Sequence, residues 1–277
     1  MYRTLITVEQ LETLAEPLIF DCRFNLADTG AGERAYREGH IPGAIYLNLD
    51  HDLSSPITPE SGRHPLPDAA RLASRLAAAG LTPSRQVVVY DDAGGAVAAR
   101  AWWLLRWLGH EAVAVLDGGW PAWCEQHSPA THNPRLLPGA DNPLTAEPDA
   151  ERFIDVGALQ LSLKLGQIVL FDARAAERFN GEMEPIDPVA GHVPGAINAP
   201  LSGNLDQSGR FHPSTVLRKR WLELLGDQDP RAAVHMCGSG VTACHNLLAM
   251  EHAGLSGARL YPGSWSEWIR DPARPIA

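Results

Sequence analysis

The sequence predicts an α/β protein made of two tandem copies of one fold, each a mainly parallel sheet flanked by helices. Two observations carry this prediction. Short apolar strand patterns alternate with helical patterns through both halves, which points to parallel strands covered on both faces. The same landmarks also recur in the same order in each half. Asp172 follows Asp21 by 151 positions, His192 follows His40 by 152, and Trp265 follows Trp120 by 145. Several landmarks at nearly one offset mark an internal duplication.

In the first half, Thr7-Val8-Glu9-Gln10 has the form of a helix start, with Leu11 and Leu14 facing inward. Leu18-Ile19-Phe20-Asp21 is a strand that runs into Cys22-Arg23. Gly39-His40-Ile41-Pro42-Gly43-Ala44-Ile45 is a turn entering a strand, because proline and glycine fix the turn. A proline-rich loop over 54–67 and a helix at 68–79 precede the strand 86–90. A loop over 91–96, a helix over 97–108, a strand over 112–116 and Gly118-Gly119-Trp120 complete the half.

The second half repeats the order. Val169-Leu170-Phe171-Asp172 leads to Ala173-Arg174, then to Gly191-His192-Val193-Pro194-Gly195-Ala196-Ile197. A strand over 232–236 ends at Cys237, and Gly263-Ser264-Trp265 closes the repeat. The expected division is a first domain over 1–127, a linker over 128–149 rich in Pro, Asn and Ala, and a second domain over 150–277. His40 and His192, and the pairs Asp21/Arg23 and Asp172/Arg174, occur in both halves, only one of which has a loop cysteine. They read as structural features.

At 277 residues with 45% apolar content, the chain is long enough for real cores. A net charge of -10 argues against nucleic acid or an anionic membrane as the main partner. The four cysteines, Cys22, Cys124, Cys237 and Cys244, lack C-x-x-C spacing and are too sparse for a disulfide scaffold, so a reduced, cytoplasmic setting is expected. The N-terminus lacks the pattern of a secretory signal. The most apolar helical stretch, 102–108, is too short to span a bilayer. No histidine spacing suggests a metal, and Gly94-Gly95 is too little for a nucleotide loop, so neither metal nor organic cofactor is expected.

The chemistry centres on residues 232–253, a strand, a loop and a helix. Cys237 falls at the mouth of a ring of backbone N–H groups at the positive end of a helix, where negative charge on sulfur is favoured and ionisation is expected to be easier than for a free thiol. Gly238 and Gly240 are expected to let the backbone curl round the sulfur. A cysteine after a buried strand can equally be a small core residue; the context around it points to a nucleophile that carries sulfur as a persulfide.

On these residues the chain resembles the tandem rhodanese-domain sulfurtransferases, over nearly its whole length. The resemblance implies two similar domains, with the catalytic cysteine in the second alone. Asp91 or Asp92 then takes the loop start in the first half, which can hold no persulfide. The loop Cys237-Gly238-Ser239-Gly240-Val241-Thr242-Ala243 matches the signature of the 3-mercaptopyruvate branch, and its residues 238–242 are expected to line the substrate. Thiosulfate is a dianion and favours basic residues beside the sulfur; this loop has none, which suits a monoanion whose sulfur hangs on carbon.

The resemblance further implies that Arg178 pairs with the substrate carboxylate, through the two-pronged grip a guanidinium allows. The second arginine of such relatives is missing: Ile186 stands near its place in Glu184-Pro185-Ile186-Asp187. Loss of that charge-assisted bond weakens carboxylate binding by about 1–3 kcal/mol. Ser239, His64 and Asp50 match a Ser–His–Asp proton relay that would protonate the departing enolate of pyruvate.

The function expected is transfer of sulfur from 3-mercaptopyruvate through Cys237 to a thiol, to a dithiol protein such as thioredoxin, or to cyanide. A thiosulfate sulfurtransferase is the alternative, and a non-enzymatic sulfur-relay or docking module a more distant one. A phosphatase on this fold needs an arginine six residues after its cysteine, where this chain has Ala243.

Overall fold

A computed structural model of the chain describes residues 1–127 and 144–277. The chain divides into two compact units. The first comprises Met1–Ser55, Leu66–Asp149 and Gln207–Arg210, the second Pro56–Pro65, Ala150–Asp206 and Phe211–Ala277. Of the expected linker, residues 128–143 lie outside the described residues.

In the first unit the elements are β1 (Leu5–Ile6), α1 (Val8–Glu12), β2 (Leu18–Asp21), α2 (Ala31–Glu38), β3 (Ile45–Tyr46), α3 (Ala69–Ala78), β4 (Val87–Tyr90), α4 (Ala98–Trp107), β5 (Val113–Leu116) and α5 (Gly119–Gln126). The strands form one parallel sheet in the order β1-β5-β4-β2-β3. β2, β4 and β5 are buried at every position, because helices cover both faces of the sheet. Thr7 and Gln10 close a reciprocal capping box on α1, and the Asp68 carboxylate accepts the Arg71 N–H at the start of α3. Both helix starts lie where the sequence places them.

The second unit contains α6 (Val156–Lys164), β6 (Val169–Asp172), α7 (Ala176–Phe179), β7 (Ile197–Asn198), α8 (Ser214–Leu225), β8 (Ala233–Met236), α9 (Ala243–His252), β9 (Arg259–Leu260) and α10 (Ser264–Trp268). Its sheet is again parallel, in the order β7-β6-β8-β9, the order of β3-β2-β4-β5 in the first unit. The place of β1 is taken by Phe153, which makes a lone parallel bridge to Leu260.

The repeated landmarks turn out to be one buried cluster, built twice. Arg23 grips Asp21 with Nε at 3.0 Å and Nη2 at 2.6 Å, donates to the Gly39 carbonyl at 2.6 Å, and lies 4.6 Å above the Trp120 ring. Arg174 repeats each contact, with Asp172 (3.0 and 2.8 Å), Gly191 (2.8 Å) and Trp265 (4.8 Å). The Gly-His turns are structural in the same sense. His40 stacks on Tyr36 and its Nδ1 is 2.7 Å from the Tyr36 carbonyl. His192 stacks on Phe179, with Nδ1 2.9 Å from that residue's carbonyl.

One segment departs from the sequence-based division. Residues Pro56–Pro65, which the sequence assigns to the first half, pack within the second unit. The Arg63 N–H donates to Ser266 Oγ at 3.0 Å, the Arg270 guanidinium donates to the Ser61 carbonyl at 3.3 Å, and a Cβ on Gly62 would stand 2.4 Å from the Gly263 carbonyl. His64 therefore belongs to the unit that holds Cys237. Among the described residues, no helix is long and apolar enough to cross a membrane.

Candidate active site

β8 is a central strand of its sheet, and Cys237 is the first residue beyond it, so the strand end aims the cysteine at the start of α9. Cys237 is 2% exposed. The Gly240 N–H donates to Cys237 Sγ at 3.2 Å and so faces whatever negative charge the sulfur carries. Val241 is buried, and Thr242 takes the position before the first turn of α9. α10 holds the loop from its other side. The Cys237 N–H donates to Ser264 Oγ (3.1 Å), while the Cys237 and Gly238 carbonyls accept the N–H groups of Trp265 (3.0 Å) and Ser266 (2.9 Å).

Of the two glycines of the loop, one does what the sequence suggests. Gly240 does turn the chain: its φ is +78°, and a Cβ there would stand 2.2 Å from the Pro262 carbonyl oxygen. Gly238 does not need a left-handed backbone. A Cβ there would stand 2.9 Å from Arg63 Nη2, the end of a long side chain, and in ordinary contact with Arg178 Nη2 and Nη1 at 3.5 and 3.6 Å.

His64 and Ser239 come together as expected, with Nδ1 and Oγ 2.8 Å apart and both side chains buried. Which of them donates depends on the imidazole tautomer. Asp50 lies in the first unit, in a turn where its N–H donates to Asn48 Oδ1 at 2.8 Å, and burial pushes its carboxyl above the usual range.

Arg178, on α7, presents its guanidinium beside Gly238, held there by acids. Its Nε and Nη2 make a forked bond with Glu184 (3.0 and 2.8 Å), and Nη2 also reaches Asp187 Oδ2 at 3.0 Å. The other oxygen of Asp187 pairs with Arg63 Nη1. One carboxylate thus ties together the two guanidiniums nearest the loop. The side chains of Glu184 and Asp187 are only 3% and 2% exposed. Burial pushes the Glu184 carboxyl up, but bonds from Arg178 and from the N–H groups of Asp187 and Ile186 outweigh it and hold the group below its ordinary range. For Asp187, burial wins over the attraction of Arg63 and Arg178, and its carboxyl is raised.

Arg63, Glu184 and Asp187 are the site residues that sequence reasoning missed. The loop itself carries no cation, yet two stand against it. Arg63 Nε is buried and finds no hydrogen-bond partner among the described residues. The signals in the sequence were the position of Arg63 next to His64 and those of Glu184 and Asp187 on either side of Ile186.

The first unit holds a counterpart of the loop. Asp91 follows β4 as Cys237 follows β8. Its Oδ1 accepts the N–H groups of Ala93 (2.9 Å) and Gly95 (2.8 Å), and its Oδ2 those of Val97 (2.7 Å) and Ala98 (2.8 Å). Of the two aspartates left open by the sequence, Asp91 fills the loop.

A duplicated parallel α/β fold with a cysteine loop at one central strand end and an acid at the other defines a tandem protein with a single cysteine site. The Rhodanese-like domain model matches residues 7–126 and again 155–271, and the chain belongs to that family. A Pseudomonas aeruginosa protein named "Probable 3-mercaptopyruvate sulfurtransferase" is 51% identical over 99% of this chain and 97% of its own. A Mycobacterium tuberculosis protein named "Putative thiosulfate sulfurtransferase SseB" is 39% identical, over 99% and 96%. Among solved structures, the 3-mercaptopyruvate sulfurtransferase from Leishmania major superimposes with a TM-score of 0.86 at 30% identity, covering 98% of this chain and 76% of that one.

Proposed function

We propose that the protein is a sulfurtransferase that takes sulfur from 3-mercaptopyruvate onto Cys237, releases pyruvate, and passes the sulfur to a thiol. The observation that carries this reading is the Cys237 loop with Arg63 and Arg178 both against Gly238. Two guanidiniums, groups suited to gripping a carboxylate, stand against the residue next to a buried sulfur that faces an N–H donor. The 51% identity to the Pseudomonas protein supports the choice of donor.

In this mechanism the donor carboxylate lies on Arg178 and Arg63, so the second cation missing at Ile186 is supplied by Arg63 from another segment. The Cys237 thiolate attacks the donor sulfur, an S–S bond forms, and the S–C bond breaks. Its electron pair stays on carbon as the enolate of pyruvate. Ser239, bonded to His64, delivers the proton that turns the enolate into pyruvate. An incoming thiol then takes the outer sulfur and returns Cys237 to the thiolate. Thioredoxin is a fitting dithiol acceptor, and two displacements in sequence give ping-pong kinetics. The four free thiols suit a reduced, cytoplasmic setting. As domain boundaries we propose 1–127 and 150–277, joined by 128–149, with Pro56–Pro65 folding into the second unit.

Asp91 supports the persulfide. From Cα, a carboxylate oxygen and the outer sulfur of a persulfide are reached through the same number of bonds. The four N–H groups on Asp91 display how this loop type embraces a charged atom at that distance. The test is mass spectrometry of the protein treated with 3-mercaptopyruvate, expected to find one added sulfur on Cys237 and none in Cys237→Ser. A Cys237→Ser protein that releases pyruvate at the parental rate refutes the mechanism.

A further inference from the structure

We propose that the buried carboxylates Glu184 and Asp187 determine donor choice, by cancelling the positive charge of Arg63 and Arg178 and holding both guanidiniums against Gly238. This rests on the function proposed above and adds the feature that separates a monoanionic donor from a dianionic one.

The charges around the loop can be counted within the second unit. Arg63, Arg178 and Arg174 face Asp187, Glu184 and Asp172. Arg174 Nη1 also stands 3.4 Å from Glu184, so the six groups form one connected cluster. Three cations and three anions leave no net charge. Asp187 bridges two of the arginines, one through each oxygen, and Glu184 holds the fork of Arg178. These bonds occupy Nε and Nη2 of Arg178, and none of them uses Nη1, which would stand 3.6 Å from a Cβ on Gly238.

Such a cluster offers a monoanion directed N–H donors without a surplus of positive charge. A carboxylate can bond to the arginine nitrogens that the acids leave open, at modest cost in repulsion. Thiosulfate brings two negative charges to the same place, and its leaving group, sulfite, departs with two. In a buried setting the second charge meets Glu184 and Asp187 with no cation in excess to offset it. Two arginines beside the sulfur therefore do not by themselves make a thiosulfate site, because two carboxylates accompany them. Gly238 belongs to the same arrangement: a Cβ there would stand 2.9 Å from Arg63 Nη2, which would have to shift.

The test compares kcat/KM for 3-mercaptopyruvate and for thiosulfate on one preparation. Asp187→Asn and Glu184→Gln each leave the cluster with one net positive charge, and each is expected to shift the donor ratio toward thiosulfate by about tenfold. Asp187→Glu keeps the charge while moving the arginines. It is expected to raise KM for 3-mercaptopyruvate and leave the ratio within about twofold of the parent. An unchanged ratio in a folded Asn or Gln variant, or an equal shift in Asp187→Glu, overturns the inference.

A second measurement needs no variant. On the parent protein at constant ionic strength, the monoanion pyruvate is expected to compete with 3-mercaptopyruvate at least about threefold more strongly than the dianion oxalate. Oxalate competing as well as pyruvate overturns the inference too. A parent protein that does not turn over 3-mercaptopyruvate at all fails the functional reading instead, so the two failures are distinguishable.

Discussion

Ser264 occupies the left-handed region of backbone space, with φ at +55°, where glycine is the usual occupant. The first half supplies its own comparison. Gly119 precedes Trp120 as Ser264 precedes Trp265, and Gly119 also has φ at +55°. The two tryptophan N–H groups do the same work, donating to the carbonyls of Asp91 (2.8 Å) and Cys237 (3.0 Å). What serine adds is a hydroxyl that accepts the Cys237 N–H at 3.1 Å and donates to the Tyr261 carbonyl at 3.0 Å. The strained residue thus stands where the cysteine is held, as strain at functional sites commonly does. Ser264→Ala keeps the strain and leaves a buried N–H unpaired, at a cost of about 1–3 kcal/mol. Ser264→Gly loses the same bond but relieves the backbone, so it should melt at a higher temperature than the alanine variant. Neither should regain the parental kcat, and KM for the donor should change little in both. Full kcat in Ser264→Gly would assign the role to the backbone and remove it from the hydroxyl.

At the scale of elements, the two strand-end clusters pack alike but differ in what adjoins them. Both β2 and β6 end in an aspartate gripped by an arginine two residues on, under a tryptophan from the last helix of the repeat. Breaking either pair strands a buried carboxylate, which costs about 3–5 kcal/mol. Arg23→Met is therefore expected to lower the urea midpoint sharply while the folded protein keeps its parental kcat/KM. Arg174→Met has a further consequence, because Arg174 Nη1 is 3.4 Å from Glu184, which holds Arg178. Its loss should destabilise the protein to a similar degree and also raise KM for the donor. Comparison of urea unfolding with initial rates at a temperature where both variants are folded separates the two effects. Equal KM in the two variants would mean that β6 ends in a cluster that only stabilises the fold.

At the scale of the whole molecule, the duplication was legible because it is written in the order and spacing of a few rigid residues. Asp21, His40 and Trp120 have counterparts at nearly fixed offsets, and the contacts they make recur with them. The cysteine loop was legible for a related reason: a strand end, a small loop and a helix start are contiguous in the chain. The arginine–carboxylate cluster was not. Arg63 and Asp187 are 124 positions apart, and no local pattern announces that a proline-rich segment of the first half will pack beside Cys237. Where sequence reasoning found no second cation near Ile186, tertiary structure sets Arg63 beside Gly238. The first unit keeps the N–H ring, filled by Asp91, but Arg63 and Arg178 both belong to the second unit. If the ring alone made the catalyst, Asp91→Cys would create a second active loop. If the donor must also be gripped by its carboxylate, a cysteine there lacks the Arg63–Arg178 pair to orient its substrate. The doubly substituted protein Asp91→Cys, Cys237→Ser is therefore expected to release pyruvate on the order of a hundredfold more slowly than the parent. Recovery to a tenth of the parental rate, with circular dichroism confirming an intact fold, would mean that the amide ring suffices and that the arginines are accessories.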